Sequence, residues 1–347
     1  MNRSVLDADW FGNITGFREC DYETTRARLS VEGDQLVSTA TGRRHGMGHL
    51  ALRTLQDFRE STKTPAVRMT RTTVNCIAGD VRELHSQPIF AGALFQVASQ
   101  FNLLEMVSPD VTPEVGVTGY VRDRTQGPAC AIAAGAATIY RNYLVPVQGL
   151  SGQTADRQID ALAPLGECLA GMLNRPLETL WTMRNGYALC TAEGLAAMGH
   201  LLRQFRETSD ARLDLLRGKL AIGLHRDVEV TDLPASVGHK VSQAFCSALP
   251  VSYTRIAPSV WEPFARVVLE AAYEATLLAA VEQTKGGGAA TVLLTRLGGG
   301  AFGNDDDWID DAVERALRAV EFCGLDVRLV SHGSVHPSLR AIRQRWH

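Results

Sequence analysis

Polar positions dominate the first part of the 347-residue chain, and apolar runs take over from about residue 73. Within residues 1–70, "TTRARLSVEGDQLVST" predicts two short strands around the turn "EGDQ", so this part reads as a β-rich extension. "TVNCIAGDV" and "GALFQVASQF" are β-branched or aromatic runs that predict buried strands. "GPACAIAAGAATIYRNY" predicts a small-residue helix able to approach a sheet or a ligand closely. Residues 151–216, with "LAAMGHLLRQFRE", carry helical periodicity and predict an inserted helical segment. "LAIGLHRDVEV" and "KVSQAFCSALPV" return to strand patterning.

The clearest element follows. Ser259 and Glu262 have the spacing of a capping box ahead of "WEPFARVVLEAAYEATLLAAVEQ". Trp261, Phe264, Val268, Ala271, Ala275 and Leu278 fall on one face of that helix, and "KGGG" ends it. "ATVLLTRL" has the continuous apolar texture of a strand covered on both faces. A glycine loop, a helix from about Asp305 to Phe322 stopped by Gly324, and the strand "LDVRLVSHG" complete the core. Alternating strands and helices predict an α/β sandwich with a largely parallel central sheet over residues 71–335. Residues 336–347 read as a short basic tail.

Composition narrows the function classes. The net charge is −3, which offers no strong signal for nucleic acid or an anionic membrane surface. "ACAIAAGAATIY" stops at Arg141, well short of a membrane span, and "MNRSVLDADWFGN" lacks the apolar stretch of a signal peptide. Seven cysteines without CxxC pairs fit reduced thiols, and a cytoplasmic location is expected.

The chemistry concentrates in "LTRLGGGAFGNDDDW". A strand–glycine loop–helix junction points backbone N–H groups and a helix N-terminus at one spot, which makes an anion site. The same letters also suit a tight turn in which Asn304 caps the helix and the aspartates favour its dipole. Gly298, Gly300 and Gly303 spell G-x-G-x-x-G, yet only one strand follows them, too little to build the rest of a Rossmann sheet.

The order of long helix, apolar strand, "LGGGAFGND", helix and final strand resembles the C-terminal half of a macrodomain, and the loop is similar to that of the poly(ADP-ribose) glycohydrolase branch. "CIAGDV" resembles the family's first-strand signature, "LFQVASQFN" the strand ending in its ribose-contacting asparagine, and "QGPACAIAAGA" its glycine loop and small-residue helix. The resemblance covers about residues 73–147 and 217–333, and implies a three-layer α/β/α fold that binds ADP-ribose or an ADP-ribosylated substrate. It departs from the glycohydrolases in lacking their "GGG" followed by "QEE", the acidic pair used for catalysis.

The resemblance implies a ligand site of Asp80 for adenine, Gln100 or Asn102 for the distal ribose, Gly127 and Gly298, Gly299, Gly300, Ala301 and Gly303 for the diphosphate, and Phe302 against a ribose, with Val81 and Asn304 as further ligand-binding residues. Hydrolysis through oxocarbenium-like charge calls for a carboxylate. Glu105, Glu114 and Asp123 fall near the expected site; Glu114 and Asp123 are preferred, with Asn102 positioning water and Tyr120 or Arg122 assisting. No cofactor and no metal are expected. His45 and His49 have the spacing of a zinc pair but no third ligand. Cys246 with His225 and Asp227 is a weak thiol-hydrolase pattern, since a lone cysteine in an apolar strand is usually core. The resemblance thus implies an ADP-ribosyl hydrolase, with a non-catalytic reader or sensor of ADP-ribose as the alternative.

Overall fold

A computed structural model describes residues 9–63, 70–233 and 237–346. The first eight residues and His347, assigned from sequence to the extension and the tail, lie outside the described residues.

The chain opens with two short helices, α1 (Trp10–Thr15) and α2 (Tyr22–Ala27), and an antiparallel sheet of β1 (Leu29–Glu32), β2 (Gln35–Ser38) and β3 (Arg44–Gly46). The expected hairpin around "EGDQ" forms, but "TTRA" is helical because the Asp21 carboxylate accepts from the Thr24 amide and caps α2. β4 (His49–Thr54) then enters the central sheet beside β11 (Ala221–Glu229), so the extension and the core share a sheet. α3 (Leu55–Thr62) follows, and then β5 (Thr73–Ala78), α4 (Val81–His85), β6 (Leu94–Ala98), α5 (Gln126–Ala133) and α6 (Gly135–Tyr143). Where one small-residue helix was expected, α5 and α6 break at Ala134 (φ −114°, ψ 58°).

The inserted segment mixes hairpins with helices: β7 (Pro146–Val147) with β8 (Leu150–Ser151), α7 (Ala163–Leu173), β9 (Trp181–Arg184) with β10 (Tyr187–Cys190), α8 (Ala192–Thr208) and α9 (Asp210–Lys219). After β11 come β12 (Lys240–Cys246), α10 (Pro258–Lys285), β13 (Thr291–Leu294), α11 (Asp306–Ala319), β14 (Asp326–Ser331) and α12 (Pro337–Trp346).

Seven strands form the central sheet in the order β4-β11-β12-β6-β13-β14-β5. β12, β6, β13, β14 and β5 run parallel, and β11 is antiparallel to both of its neighbours. Successive residues point to opposite faces. Phe95 stacks on His85 of α4 at 3.8 Å, whereas Gln96 donates to the Thr276 hydroxyl of α10 on the other face. Helices cover both sides, giving the α/β/α sandwich with a mixed, largely parallel sheet.

α10 is buried almost all round from Trp261 to Val281, beyond the single stripe read from its sequence. The reason is that α3, α8, α9 and α11 cover the side turned away from the sheet. Ion pairs of Arg59 with Glu274 and Arg217 with Glu270, both at 2.6 Å, fix α3 and α9 to it. The expected capping box is absent: Pro258 at the first turn starts α10 ahead of Ser259, no side chain caps it, and Glu262 pairs with Arg266 instead. Residues 337–346, taken from sequence as tail, are helical. Leu339 and Ile342 of α12 are buried, and the Trp346 indole donates to the Thr72 carbonyl, which docks the helix beside β5.

Candidate functional site

Parallel strands bring all their C-terminal ends to one edge of a sheet, and ligands of open α/β sheets bind there. Here β5 ends at Gly79–Asp80, β6 at Ser99–Gln100, β13 at Thr295–Arg296 and β14 at Ser331–His332, and residues from all four ends line one cleft. The cleft has two adjoining parts that share Asp123, Thr125, Gln126, Thr295 and Arg296. The broad outer part holds Asp80, Val81, His332 and His336; the inner chamber holds Gln100, Glu105, Met106, Gly127 and Tyr187.

The glycine loop forms one wall. Tyr273 pins its start, donating to the Thr295 carbonyl (2.6 Å) and accepting from the Leu297 amide (2.8 Å). Ser252 pins its middle through the carbonyls of Ala301 and Phe302. Asn304 is buried and pins its end by donating to the Leu249 carbonyl (2.8 Å), so the cap of α11 falls to Asp305 and not to Asn304. Gly298 must be glycine, since φ is +74° and a Cβ would stand 2.4 Å from that of Ala248. Among the described residues, the backbone N–H groups of Gly300, Ala301 and Phe302 make no hydrogen bond within the protein. These three residues and Gly298 line the chamber, whereas Gly299, Gly303 and Asn304 shape the loop from behind.

Phe302, Tyr187 and Tyr253 form an aromatic corner with ring centroids 5.4–5.6 Å apart. Tyr187 comes from the inserted β9–β10 hairpin, whose Asn185–Gly186 turn has positive φ at both residues. The Asn185 side chain donates to the Pro109 carbonyl, and Phe101 donates to that of Gly186, so the hairpin tip packs on the segment after β6. Arg296 also lines the cleft, but its guanidinium is held by Asp306, Asp310 and Ser338.

The carboxylates differ sharply. Asp80 accepts from the Arg82 amide as the N-cap of α4 and faces the outer part. Asp123 is half-buried where the two parts meet and accepts from the Thr125 amide. Glu114 lies outside both parts, with the Ala155 amide on one oxygen. Glu105, only 2% exposed, lines the chamber with neither carboxyl oxygen hydrogen-bonded. Burial pushes its pKa up to about 8, against the opposing pull of Arg141. Arg141 Nη2 is 3.9 Å away, beyond hydrogen-bond distance, because that guanidinium donates to the Leu103 carbonyl and the Thr138 hydroxyl and stacks on Phe245.

Of the residues chosen from sequence, Asp80, Val81, Gln100, Asp123, Gly127, Gly298, Gly300, Ala301 and Phe302 come together on the cleft. Asn102 does not: it is buried behind it, donating to Gln158 and accepting from the Leu104 amide. Tyr120 is buried behind Glu105, and its hydroxyl accepts from the Glu105 amide. Arg122 is exposed and lines neither part. Sequence reading passed over Tyr187, Tyr253, Thr125, Gln126 and Arg296. The first follows an Asn-Gly pair, a hairpin signal, and the last immediately precedes the glycine loop.

His45 pairs with Glu229, and no metal-binding cluster occurs among the described residues. Cys246 faces Thr276 of α10, while His225 lies on the opposite face of the sheet against Tyr140 and Phe245.

No family model matches the sequence, and none of the curated proteins matches it. Among solved structures the chain is similar to the poly(ADP-ribose) glycohydrolase from Thermomonospora curvata, at 12% identity over 99% of this chain and 100% of that one (TM-score 0.43). It is also similar to the enzyme from Deinococcus radiodurans in complex with ADP-ribose, at 13% identity over 85% and 92% of the two chains (TM-score 0.42). A third similar structure is the Thermomonospora curvata enzyme bound to the inhibitor ADP-HPD, at 12% identity over 99% and 100% (TM-score 0.41).

Proposed function

We propose that the chain binds ADP-ribose, or a ligand carrying an ADP-ribosyl group, along this cleft and hydrolyses an ADP-ribosyl bond at its inner end. The observation that carries the proposal is continuity. Unpaired amides at Gly300–Phe302 lie in a cleft that has an acidic residue, Asp80, in its outer part and a buried carboxyl group, Glu105, in its chamber.

A diphosphate matches the amides, because backbone N–H groups in a glycine loop satisfy anionic oxygens without a cation. Adenine would lie against Val81 with its amino group on Asp80, and the distal ribose against the aromatic corner with Gln100 near its hydroxyls. Gly127 lets the first turn of α5 approach the end of β6 and the Glu105 side chain closely at that end of the cleft. The bond to be cleaved then lies in the chamber that holds Glu105, with Asp123 at its entrance.

A non-catalytic reader is the second reading, and one feature favours it: α5 opens with Gln126, Gly127 and Pro128, and no carboxylate stands at its start. Turnover decides between them. Incubation with mono- and poly-ADP-ribosylated protein should release free ADP-ribose, while titration calorimetry with ADP-ribose reports binding alone. Binding without release from either substrate would leave the reader.

A further inference from the structure

We propose that Glu105 is the catalytic general acid of this site, a role that rests on reading the cleft as that of an ADP-ribosyl hydrolase. Its claim over the other carboxylates is geometric. Asp80 and Asp123 each spend an oxygen on a local backbone amide, and Glu114 lies outside the cleft. Glu105 spends neither, although it is buried. A buried polar group without a partner costs free energy, and sites where that cost persists are commonly functional.

The backbone around Glu105 is held from three directions while its carboxyl is left free. Tyr120, in the turn before α5, accepts from the Glu105 amide at 3.1 Å. Gln100 Oε1 accepts from the Met106 amide at 2.8 Å, and the Tyr187 hydroxyl donates to the Met106 carbonyl at 2.6 Å. Gly127 closes the fourth side: a Cβ there would stand 3.1 Å from Glu105 Cγ. A reacting group fixed this way enters the transition state without reorganising.

The step balances with one water. As the bond from the anomeric carbon to the leaving oxygen breaks, its electron pair goes to that oxygen together with the Glu105 proton. The sugar is left with oxocarbenium-like charge. Water adds to the anomeric carbon and gives its proton to the Glu105 carboxylate, which restores the acid. The charged and titratable groups facing Glu105 are Arg141 from α6, Tyr120 and Asp123 from the segment before α5, and Cys130 from α5. Only Arg141 favours the carboxylate, and burial outweighs it, so the acid is protonated at neutral pH.

The test uses the full chain with ADP-ribosylated protein as substrate and ADP-ribose as binding probe. Glu105→Gln should lower kcat by about 10²–10⁴-fold, the usual worth of a general acid. Its ADP-ribose affinity should stay within about threefold, because a group acting on the transition state contributes little to ground-state binding. In the wild type, kcat should fall as pH rises through about 8, where Glu105 deprotonates. That measurement needs no variant, so a Glu105→Gln protein that fails to fold does not block the test. Full turnover by folded Glu105→Gln, or wild-type turnover that rises through pH 8, overturns the proposal. Wild-type protein that binds ADP-ribose but releases none from substrate overturns the acid and leaves the binding site standing. Absence of ADP-ribose binding overturns the reading of the cleft itself.

Discussion

Gly127 leaves no room for a side chain beside Glu105. A Cβ at Gly127 would stand 3.1 Å from Glu105 Cγ and 2.0 Å from the Ala98 carbonyl oxygen, so the first turn of α5 and the end of β6 meet with room for a hydrogen atom only. The contact joins the element that builds one chamber wall to the residue that faces into it. Gly127→Ala cannot be relieved by a rotamer change, because the obstacle is backbone. The variant should lose about 1–3 kcal/mol of stability, the usual scale for overpacking a close contact, read from denaturant unfolding. Its turnover should fall further than its fraction folded. Unaltered stability would show that α5 has slack the structure does not display.

Gly300 is the opposite case. Nothing lies within 4 Å of a Cβ placed there, so Gly300→Glu should fold normally. The added carboxylate would stand beside the amides that await an anion. We expect ADP-ribose affinity to drop at least tenfold, about 1.4 kcal/mol, by titration calorimetry. Unchanged affinity in a folded Gly300→Glu protein would remove the diphosphate from this loop.

Asp80 both caps α4 and faces the outer part of the cleft, so alanine would confuse two roles. Serine caps helices nearly as well as aspartate. Asp80→Ser should therefore weaken adenosine-containing ligands by about 1–3 kcal/mol, the loss expected for one charged hydrogen-bond partner. Ribose 5-phosphate, which carries no adenine, should bind as before. Equal losses for both ligands would mean that Asp80 acts through stability alone.

The Glu105 carboxyl also makes a stability prediction with an unusual sign. Its folded-state pKa is raised to about 8, so folding favours the protonated form. The unfolded chain releases the proton near the ordinary glutamate value of about 4.3. Stability is therefore full below that value and is lost as pH rises towards 8, because the folded state binds the extra proton. Glu105→Gln should flatten this slope. Urea unfolding of both proteins at several pH values between 5 and 8 checks it, and parallel slopes would place the raised pKa elsewhere.

The hairpin tip gives a last prediction. Gly186 has φ +79°, and a Cβ would meet the Asn102 amide oxygen at 2.5 Å. Gly186→Ala should displace the tip and with it Tyr187, whose hydroxyl holds the Met106 carbonyl. Turnover should then fall while adenosine monophosphate, which lacks the distal ribose that the proposed pose sets against Tyr187, still binds. An unchanged kcat would free the insertion from any part in the site.

Much of the architecture was legible in the sequence because burial writes itself into local pattern. "ATVLLTRL" is apolar without alternation since helices cover both faces of the sheet at β13; "TVNCIAGDV" holds the strand β5 as well, but at the sheet edge, where only Val74 of it is buried rather than the whole run. The glycine loop was visible because Gly298 and Gly303 adopt positive φ, which side chains disfavour. The same loop could not reveal that Asn304 turns inward to Leu249 or that Arg296 is already neutralised by Asp306 and Asp310, since these partners arrive from other elements. Pattern likewise marked 151–216 as helical but not the Asn185–Gly186 hairpin that delivers Tyr187 to the chamber. The carboxylates show the limit most clearly. Glu105, Glu114 and Asp123 are equivalent as letters, and a carboxyl group's chemistry depends on burial and on which donors reach it. Those are set by chain segments far apart in sequence: Arg141 turned aside to Leu103 and Thr138, Gly127 closing over the side chain, Tyr187 bracing it from the insertion. The sequence by itself determined the layers and the loop; only tertiary packing decided which carboxyl is enclosed, because a pKa is a property of surroundings and not of a residue.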